Sequence, residues 1–173
     1  MLSNVELIVL SLVQEKPSYA YEIEKQIEAR NMRLWVKVGI ASIYQVLERL
    51  HRKGYVEFHV EREGKAPERK RYFTTAIGKE ELKISVKELL VKLEWFYLDL
   101  NVAIEGSDIL EAEEYKKCLI ERLEKVSHSL HKLREDYYSE DKKSKKAEIV
   151  MRSVMLMREA EEKLLRELID EHE

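Results

Sequence analysis

Ser42, Tyr44 and Gln45 stand within one helical turn of one another, with Lys37 just ahead and Arg49 one turn on. Twenty residues later the stretch Arg62 to Arg71 holds five basic and two acidic residues, among them Arg69, Lys70 and Arg71. Hydroxyls and cations of this kind reach phosphate oxygens, and a glutamine matches the two-position edge of adenine. The competing chemistries are thinner. His128 and His131 are three apart, with Glu124 and Glu135 nearby, a spacing that can hold a metal. On so charged a helix the pair reads as a solvated face, and no metal or cofactor is expected. One cysteine, Cys118, excludes an intramolecular disulfide or a Cys-pair zinc site and reads as a small residue of a packed seam. There is no glycine-rich phosphate loop and no nucleophile elbow, and the carboxylates stand in no identifiable pair. The residues favour binding, and no enzymatic activity is expected.

Short elements must position these groups in the first half. Ser3 and Glu6 are spaced as a capping box before a nearly apolar helix that Pro17 stops. Ser18 is placed to cap a second helix running to Ala29 or Arg30, with Ile23 and Ile27 facing inward. A third helix is predicted over 40–53, with Ile43, Val46, Leu47 and Leu50 on one face and Gly54 at its left-handed end. The period then falls to two: residues 55–60 and 72–75 read as the strands of one hairpin, with Arg62 to Arg71 as its basic tip. Helix–helix–helix–hairpin is the order of a winged helix-turn-helix, whose third helix enters a major groove while the wing follows the backbone or minor groove.

The remainder is read as long helices. Leu82, Val86, Leu89, Leu93, Phe96, Leu100 and Ala103 alternate spacings of four and three, a coiled-coil seam. Leu119, Leu123, Val126, Leu130, Leu133 and Tyr137 give a second seam after Gly106. Beyond a lysine-rich turn at 139–146, Val150, Val154, Met157, Leu164 and Leu168 give a third, interrupted by Glu161. The fold class expected is therefore mainly α: a winged helix-turn-helix of three helices and a two-stranded wing over 1–75, then long C-terminal helices over 76–173. Three seams exceed what one hairpin of helices buries, so the second part is expected to form a homodimer.

Charge agrees with this division. The first 80 residues carry 14 Lys+Arg and 11 Asp+Glu, leaving 17 and 23 for the rest of a chain whose net charge is −3. The basic part suits an anionic partner and the acidic part does not. No apolar run approaches the roughly 18 residues of a membrane span. The apolar stretch from Val5 to Val13 has no basic start, contains Glu6 and lacks a small-residue cleavage site, so it is not read as a signal peptide. No membrane partner and a cytoplasmic location are expected.

Three stretches make residues 5–82 resemble the DNA-binding domain of the PadR-like transcription regulators. They are Tyr19-Ala20-Tyr21-Glu22-Ile23 after Pro17; Ala41-Ser42-Ile43-Tyr44-Gln45-Val46-Leu47-Glu48-Arg49-Leu50 with Lys53-Gly54-Tyr55-Val56; and Pro67 with Arg69-Lys70-Arg71-Tyr72, before Thr75-x-x-Gly78. The resemblance implies that Tyr21, Ser42 and Tyr44 contact phosphate or bases and that Arg69 and Lys70 lie along the backbone. It departs at Ala20, where the family has Gly, at Gln45, where it has Pro, and at Arg71, where an aromatic is common; Glu68 also breaks the basic wing.

The resemblance further implies a homodimer reading a pseudo-palindrome in double-stranded DNA, acting as a repressor. Some relatives bind a hydrophobic or phenolic effector, for which Trp95, Phe96 and Tyr97 are the candidates here; plain interhelical packing is the simpler reading of those rings. The alternative function is a helical dimeric interaction module whose winged helix binds protein and not DNA.

Overall fold

The computed structural model describes residues 2–62, 68–139 and 144–171. It forms two compact units, residues 1–94 and 95–173. The first unit runs past Thr75 to Glu94 because the helix after the wing packs on the first helix.

In the first unit, α1 (Asn4–Glu15) opens with the expected capping box: Ser3 Oγ accepts from the Glu6 N–H, and the Glu6 carboxylate accepts from the Ser3 N–H. Val9, Leu10, Leu12 and Val13 are buried around it. α2 (Ala20–Ala29) follows, then a 3-10 turn (Met32–Leu34) entered through Asn31 at φ 51. Arg33 fastens this connector by donating from Nε to the Val38 carbonyl at 3.1 Å and by pairing with Glu24. α3 (Ile40–Arg52) buries Ile43, Val46, Leu47 and Leu50 to 1 % exposure or less. Each such side chain contributes about 1.5–3 kcal/mol by burial, which holds the opposite face of α3 outward. Gly54 at φ 72 ends the helix as predicted.

The sheet has three strands, not two. β2 (Val56–Glu61) and β3 (Arg69–Thr74) form the hairpin, and β1 (Ser18–Tyr19) pairs antiparallel with the far edge of β3, Ser18 opposite Tyr72 and Tyr19 opposite Arg71. Ser18 is thus a buried strand residue whose hydroxyl donates to the Lys16 carbonyl, and the cap of α2 is Tyr19, whose N–H donates to Glu22. Residues 63–67, half of the expected basic tip, lie outside the described residues. α4 (Ala76–Val91) starts at Thr75, whose Oγ1 accepts from the Gly78 N–H and donates to the Gly54 carbonyl.

α4 ends at Val91, and residues 92–98 are not helical, so the seam predicted from Leu82 to Ala103 is not one helix. Leu93 and Phe96, two of its members, are 79 % and 69 % exposed. A heptad stripe stabilises a helix only where a partner covers it, and bulky aromatics in sequence favour helix weakly.

The second unit holds α5 (Asp99–Glu105), a 3-10 turn (Ser107–Ile109), α6 (Ala112–Tyr138) and α7 (Lys145–Asp170). The second predicted seam packs as expected: Leu119, Val126, Leu130 and Leu133 are buried, with Leu123 and Tyr137 half-buried beside them. The third is met in part. Val154 and Leu168 pack beside the buried Met151, Met155 and Leu165 of α7 and Val150 is half-buried, whereas Met157 and Leu164 are exposed with Ile149 and Leu156. Glu161 does not interrupt the pairing but secures it: Arg122 of α6 donates to it from Nε at 3.0 Å and from Nη2 at 2.7 Å, and Arg158 donates at 2.6 Å. Residues 140–143 of the expected turn lie outside the described residues. Cys118 is exposed, one residue off the seam in which it was expected. Among the described residues no helix is long and apolar enough to cross a membrane.

Candidate nucleic-acid interface

The outward face of α3 carries Tyr44, Gln45, Glu48 and Arg52, all exposed because the inward positions are filled by the core. Tyr44 is 57 % exposed. At the start of the helix Ser42 closes a reciprocal cap, accepting from the Gly39 N–H at 3.1 Å and donating to the Gly39 carbonyl at 2.5 Å. It therefore fixes the point at which the chain enters the helix. Lys37 lies exposed in the connector just before it.

Arg49 is turned away from this face. Its Nε lies 3.6 Å from Glu6, which also accepts from Lys53 Nζ at 2.8 Å. Burial pushes the Glu6 carboxyl up, but the hydrogen bonds from Lys53 and Ser3 outweigh it and bring it down to about 2. Glu6 is thus an anion throughout the physiological range, and it engages two cations that would otherwise add to the field of α3.

The wing holds its cations on aromatic rings. Three consecutive residues of β3 each lie over a different one: Arg69 over Tyr21 at 5.6 Å, Lys70 over Phe58 at 4.3 Å and Arg71 over Tyr19 at 5.2 Å. Alternation along the strand sends Lys70 to one face and Arg69 with Arg71 to the other. Tyr19 and Tyr21 stack, ring centroids 5.5 Å apart and planes inclined by 11°. Lys25 adds a further cation 5.8 Å from the Tyr21 ring.

Between α3 and the wing lies a groove of about 710 Å³, to which Tyr44, Glu48, His51 and Arg52 contribute from the helix and Phe58, Lys70 and Tyr72 from the sheet. His51 faces the Val56 carbonyl at 3.0 Å through Nδ1 and tilts against Phe58, which sets its ring at the groove floor. Burial, with Glu48 and Tyr44 close by, pushes the Tyr72 phenol up and keeps it neutral. Tyr21, 40 % exposed, borders the same groove from the start of α2.

Of the residues singled out by sequence, Tyr21, Tyr44, Arg69 and Lys70 converge on this groove, with Ser42 and Gln45 on the same helix. Arg49 and Arg71 are each held by a carboxylate, Glu6 and Glu61. Sequence reasoning missed Tyr19, whose hydroxyl donates to Glu61 and whose phenol that bond pushes up. No local pattern signals it, because Tyr19 ends β1 while Tyr21 already belongs to α2, and the Glu61 partner lies 42 residues away.

The effector candidates stand elsewhere. Trp95, Phe96 and Tyr97 lie in the non-helical segment 92–98 and are 76 %, 69 % and 91 % exposed, so Phe96 does not sit in the helical seam assigned to it. On α6, His131 lies 3.4 Å from Glu135, along the helix.

Comparison with known proteins agrees with this fold. The family model described as the transcriptional regulator PadR-like family matches residues 9–84. A protein of Lysinibacillus sphaericus is 33 % identical over 85 residues, which are 49 % of this chain and 77 % of that one. Bacillus subtilis PadR, crystallised in complex with operator DNA, aligns with TM-score 0.82 at 17 % identity over 99 % of this chain and 100 % of its own. The same protein with p-coumaric acid gives 0.79 at 16 %, over 97 % and 98 %. A PadR-like regulator from Bacillus cereus gives 0.73 at 20 %, over 96 % of both chains. At these identities the structures establish a shared fold.

Proposed function

This chain belongs to the PadR-like family of transcriptional regulators, and on that premise we propose that it is a homodimeric repressor of a pseudo-palindromic operator. The observation that carries this is the convergence of Tyr21, Tyr44, Arg69 and Lys70 on one groove between α3 and the wing. α3 offers a rigid polar face to the major groove through Tyr44 and Gln45, and the wing offers cations to the adjacent phosphates. Gln45 is the residue best fitted to read a base, through the paired donor and acceptor of its amide. Residues 1–75 carry this binding and residues 76–173 the dimer and its control. The dimer reading draws on Ile149, Leu156, Met157 and Leu164 of α7, exposed apolar residues that recur along one side of that helix and that a second copy would cover. Two copies of α3 then read half-sites about 34–36 Å, or a multiple of that, apart.

Bacillus subtilis PadR has been crystallised with p-coumaric acid. By analogy we assign Trp95, Phe96 and Tyr97 to the response to a hydrophobic or aromatic effector that releases the DNA. Their exposure in the single chain suits side chains that become ordered by a ligand or a partner.

The test is a mobility shift with the duplex upstream of the gene for this chain, set against a scrambled duplex of equal length. Preference for the upstream duplex that survives moderate salt, and is lost in Tyr44→Ala, supports operator recognition through α3. Equal binding to both that vanishes with salt reduces the activity to phosphate attraction. Binding to neither favours a protein partner for the winged helix.

A further inference from the structure

Tyr19, Arg71 and Glu61 lie on three different strands in the spatial order β1-β3-β2. The Tyr19 hydroxyl passes across β3 to donate to Glu61, and Arg71 sits between them, 5.2 Å from the Tyr19 ring centroid and 3.5 Å from the Glu61 carboxylate through Nη1. Arg71 Nε is buried, with no hydrogen-bond partner among the described residues. Its Nε is therefore drawn into the sheet, while the side chain as a whole stays 34 % exposed. Glu61 stands directly opposite Arg69 in the ladder, yet its carboxylate goes to Tyr19 and to the diagonal Arg71. Arg69 makes no ion pair among the described residues, and its charge stays available at the exposed end of the stacked pair Tyr19–Tyr21.

We infer that Tyr19 and Arg71 are positioning residues for nucleic-acid binding: with Glu61 they lock the wing to the start of α2, holding Arg69 and Lys70 toward the duplex without touching it themselves. β1 is two residues long, and its ladder alone is too short to set the pitch of a hairpin. The side-chain lock supplies a constraint across all three strands, and it anchors the wing to the tyrosines at the start of α2. This rests on the DNA-binding reading above, so its test has one arm that needs no DNA.

Tyr19→Phe, Arg71→Ala and Arg69→Ala are made in the full chain. In the first arm, amide hydrogen exchange of the free protein is followed over β3. Tyr19→Phe is expected to speed exchange there and leave α6 and α7 unchanged. In the second arm, affinity for the upstream duplex is followed across salt. Tyr19→Phe and Arg71→Ala are expected to weaken binding by roughly five- to tenfold at every salt concentration, with the parent's slope of log K against log salt. Arg69→Ala, an identical change of charge, is expected to lower that slope by about 0.9, one phosphate contact. Unaltered β3 exchange in Tyr19→Phe overturns the lock. Unaltered affinity in that variant, or a slope that falls as far in Arg71→Ala as in Arg69→Ala, overturns the positioning role. A parent that does not distinguish the upstream from the scrambled duplex defeats the operator reading, and the exchange arm still decides the lock.

Discussion

The Glu6 carboxylate and the Lys53 ammonium meet at 2.8 Å across the packing of α1 against α3, with Glu6 only 5 % exposed. The same carboxylate caps its own helix at Ser3 and faces Arg49. One buried anion thereby joins the start of α1 to the end of the helix that carries the candidate base-reading face.

That arrangement predicts an acid-sensitive interface. Glu6 titrates at about 2 in the folded chain against 4.5 for an ordinary glutamate. A depressed carboxylate stabilises fully above its unfolded value, and the contribution is lost as pH falls from about 4.5 toward 2. Because both cations are partly exposed, the contribution is about 1–2 kcal/mol, less than the shift alone would suggest. Urea denaturation of the parent and Glu6→Gln at pH 7 and pH 3 checks this. The variant is expected to be less stable at pH 7, and the gap between the two to narrow at pH 3. An equal gap at both values contradicts the assignment.

Three glycines are expected to respond differently to alanine. At Gly78 a Cβ would lie 2.1 Å from the Tyr55 carbonyl oxygen and 2.8 Å from its carbon. Alanine ordinarily stabilises a helix by about 1 kcal/mol over glycine, but here the backbone of Tyr55 has to move, so Gly78→Ala is expected to cost about 2–4 kcal/mol. Gly54→Ala meets open space but a φ of +72°, and should cost about 1 kcal/mol. Gly106→Ala, with its nearest neighbour at 3.7 Å and φ −93°, should fall within about 0.5 kcal/mol of the parent. Thermal melts of the three give the ranking, and a Gly78→Ala as stable as Gly106→Ala would exclude the close approach.

The contrast between what the sequence announces and what it hides follows from locality. The buried face of α3 is legible because Ile43, Val46, Leu47 and Leu50 repeat with the helical period, and Gly54 marks the end by its own conformational freedom. The third strand is not, because β1 is only Ser18 and Tyr19 and exists through pairing with residues more than fifty positions away. Ser18 after Pro17 has the local form of a cap, and only the distant strand overrides it. The break at 92–98 is hidden for the opposite reason: heptad spacing records where apolar residues fall, not whether anything covers them. On α7 the seam is legible at Val154 and Leu168 but not at Met157 and Leu164, because apolar residues lie on both sides of it and the packing against α6 selects Met151, Met155 and Leu165. In the candidate interface, residue types are visible in sequence, but partners are not. Arg49 and Arg71 read like any other cation until Glu6 and Glu61 are found beside them.

Glu161 should behave as a hub of the α6–α7 pair. It accepts from Arg122 and Arg158, and although burial pushes its carboxyl up, these two hydrogen bonds bring it below the ordinary value. Replacing it by Ala leaves two guanidinium groups without their shared acceptor at the helix pairing, and is expected to cost about 1–3 kcal/mol. Arg158→Ala should cost less, because its guanidinium is exposed and its contact runs within one helix. A double-mutant cycle between Arg122→Ala and Glu161→Ala is expected to show coupling of about 1 kcal/mol. Zero coupling would mean that the distances of 2.7 and 3.0 Å describe a contact of no energetic weight.

Gln45 and Lys37 separate reading from holding. Both are exposed at the start of α3, but an amide offers a matched donor and acceptor to one base edge, whereas an ammonium on a flexible stem meets any phosphate. Gln45→Ala is expected to weaken binding to the preferred duplex by about 1–3 kcal/mol. It should also relax discrimination at one base pair per half-site, leaving the salt slope as it was. Lys37→Ala is expected to weaken preferred and scrambled duplexes alike and to lower the slope by about 0.9. Competition binding against duplexes substituted one base pair at a time resolves the two. If Gln45→Ala weakens every duplex equally, α3 holds the groove without reading it, and specificity has to come from the shape of the duplex against Tyr21, Tyr44 and the wing.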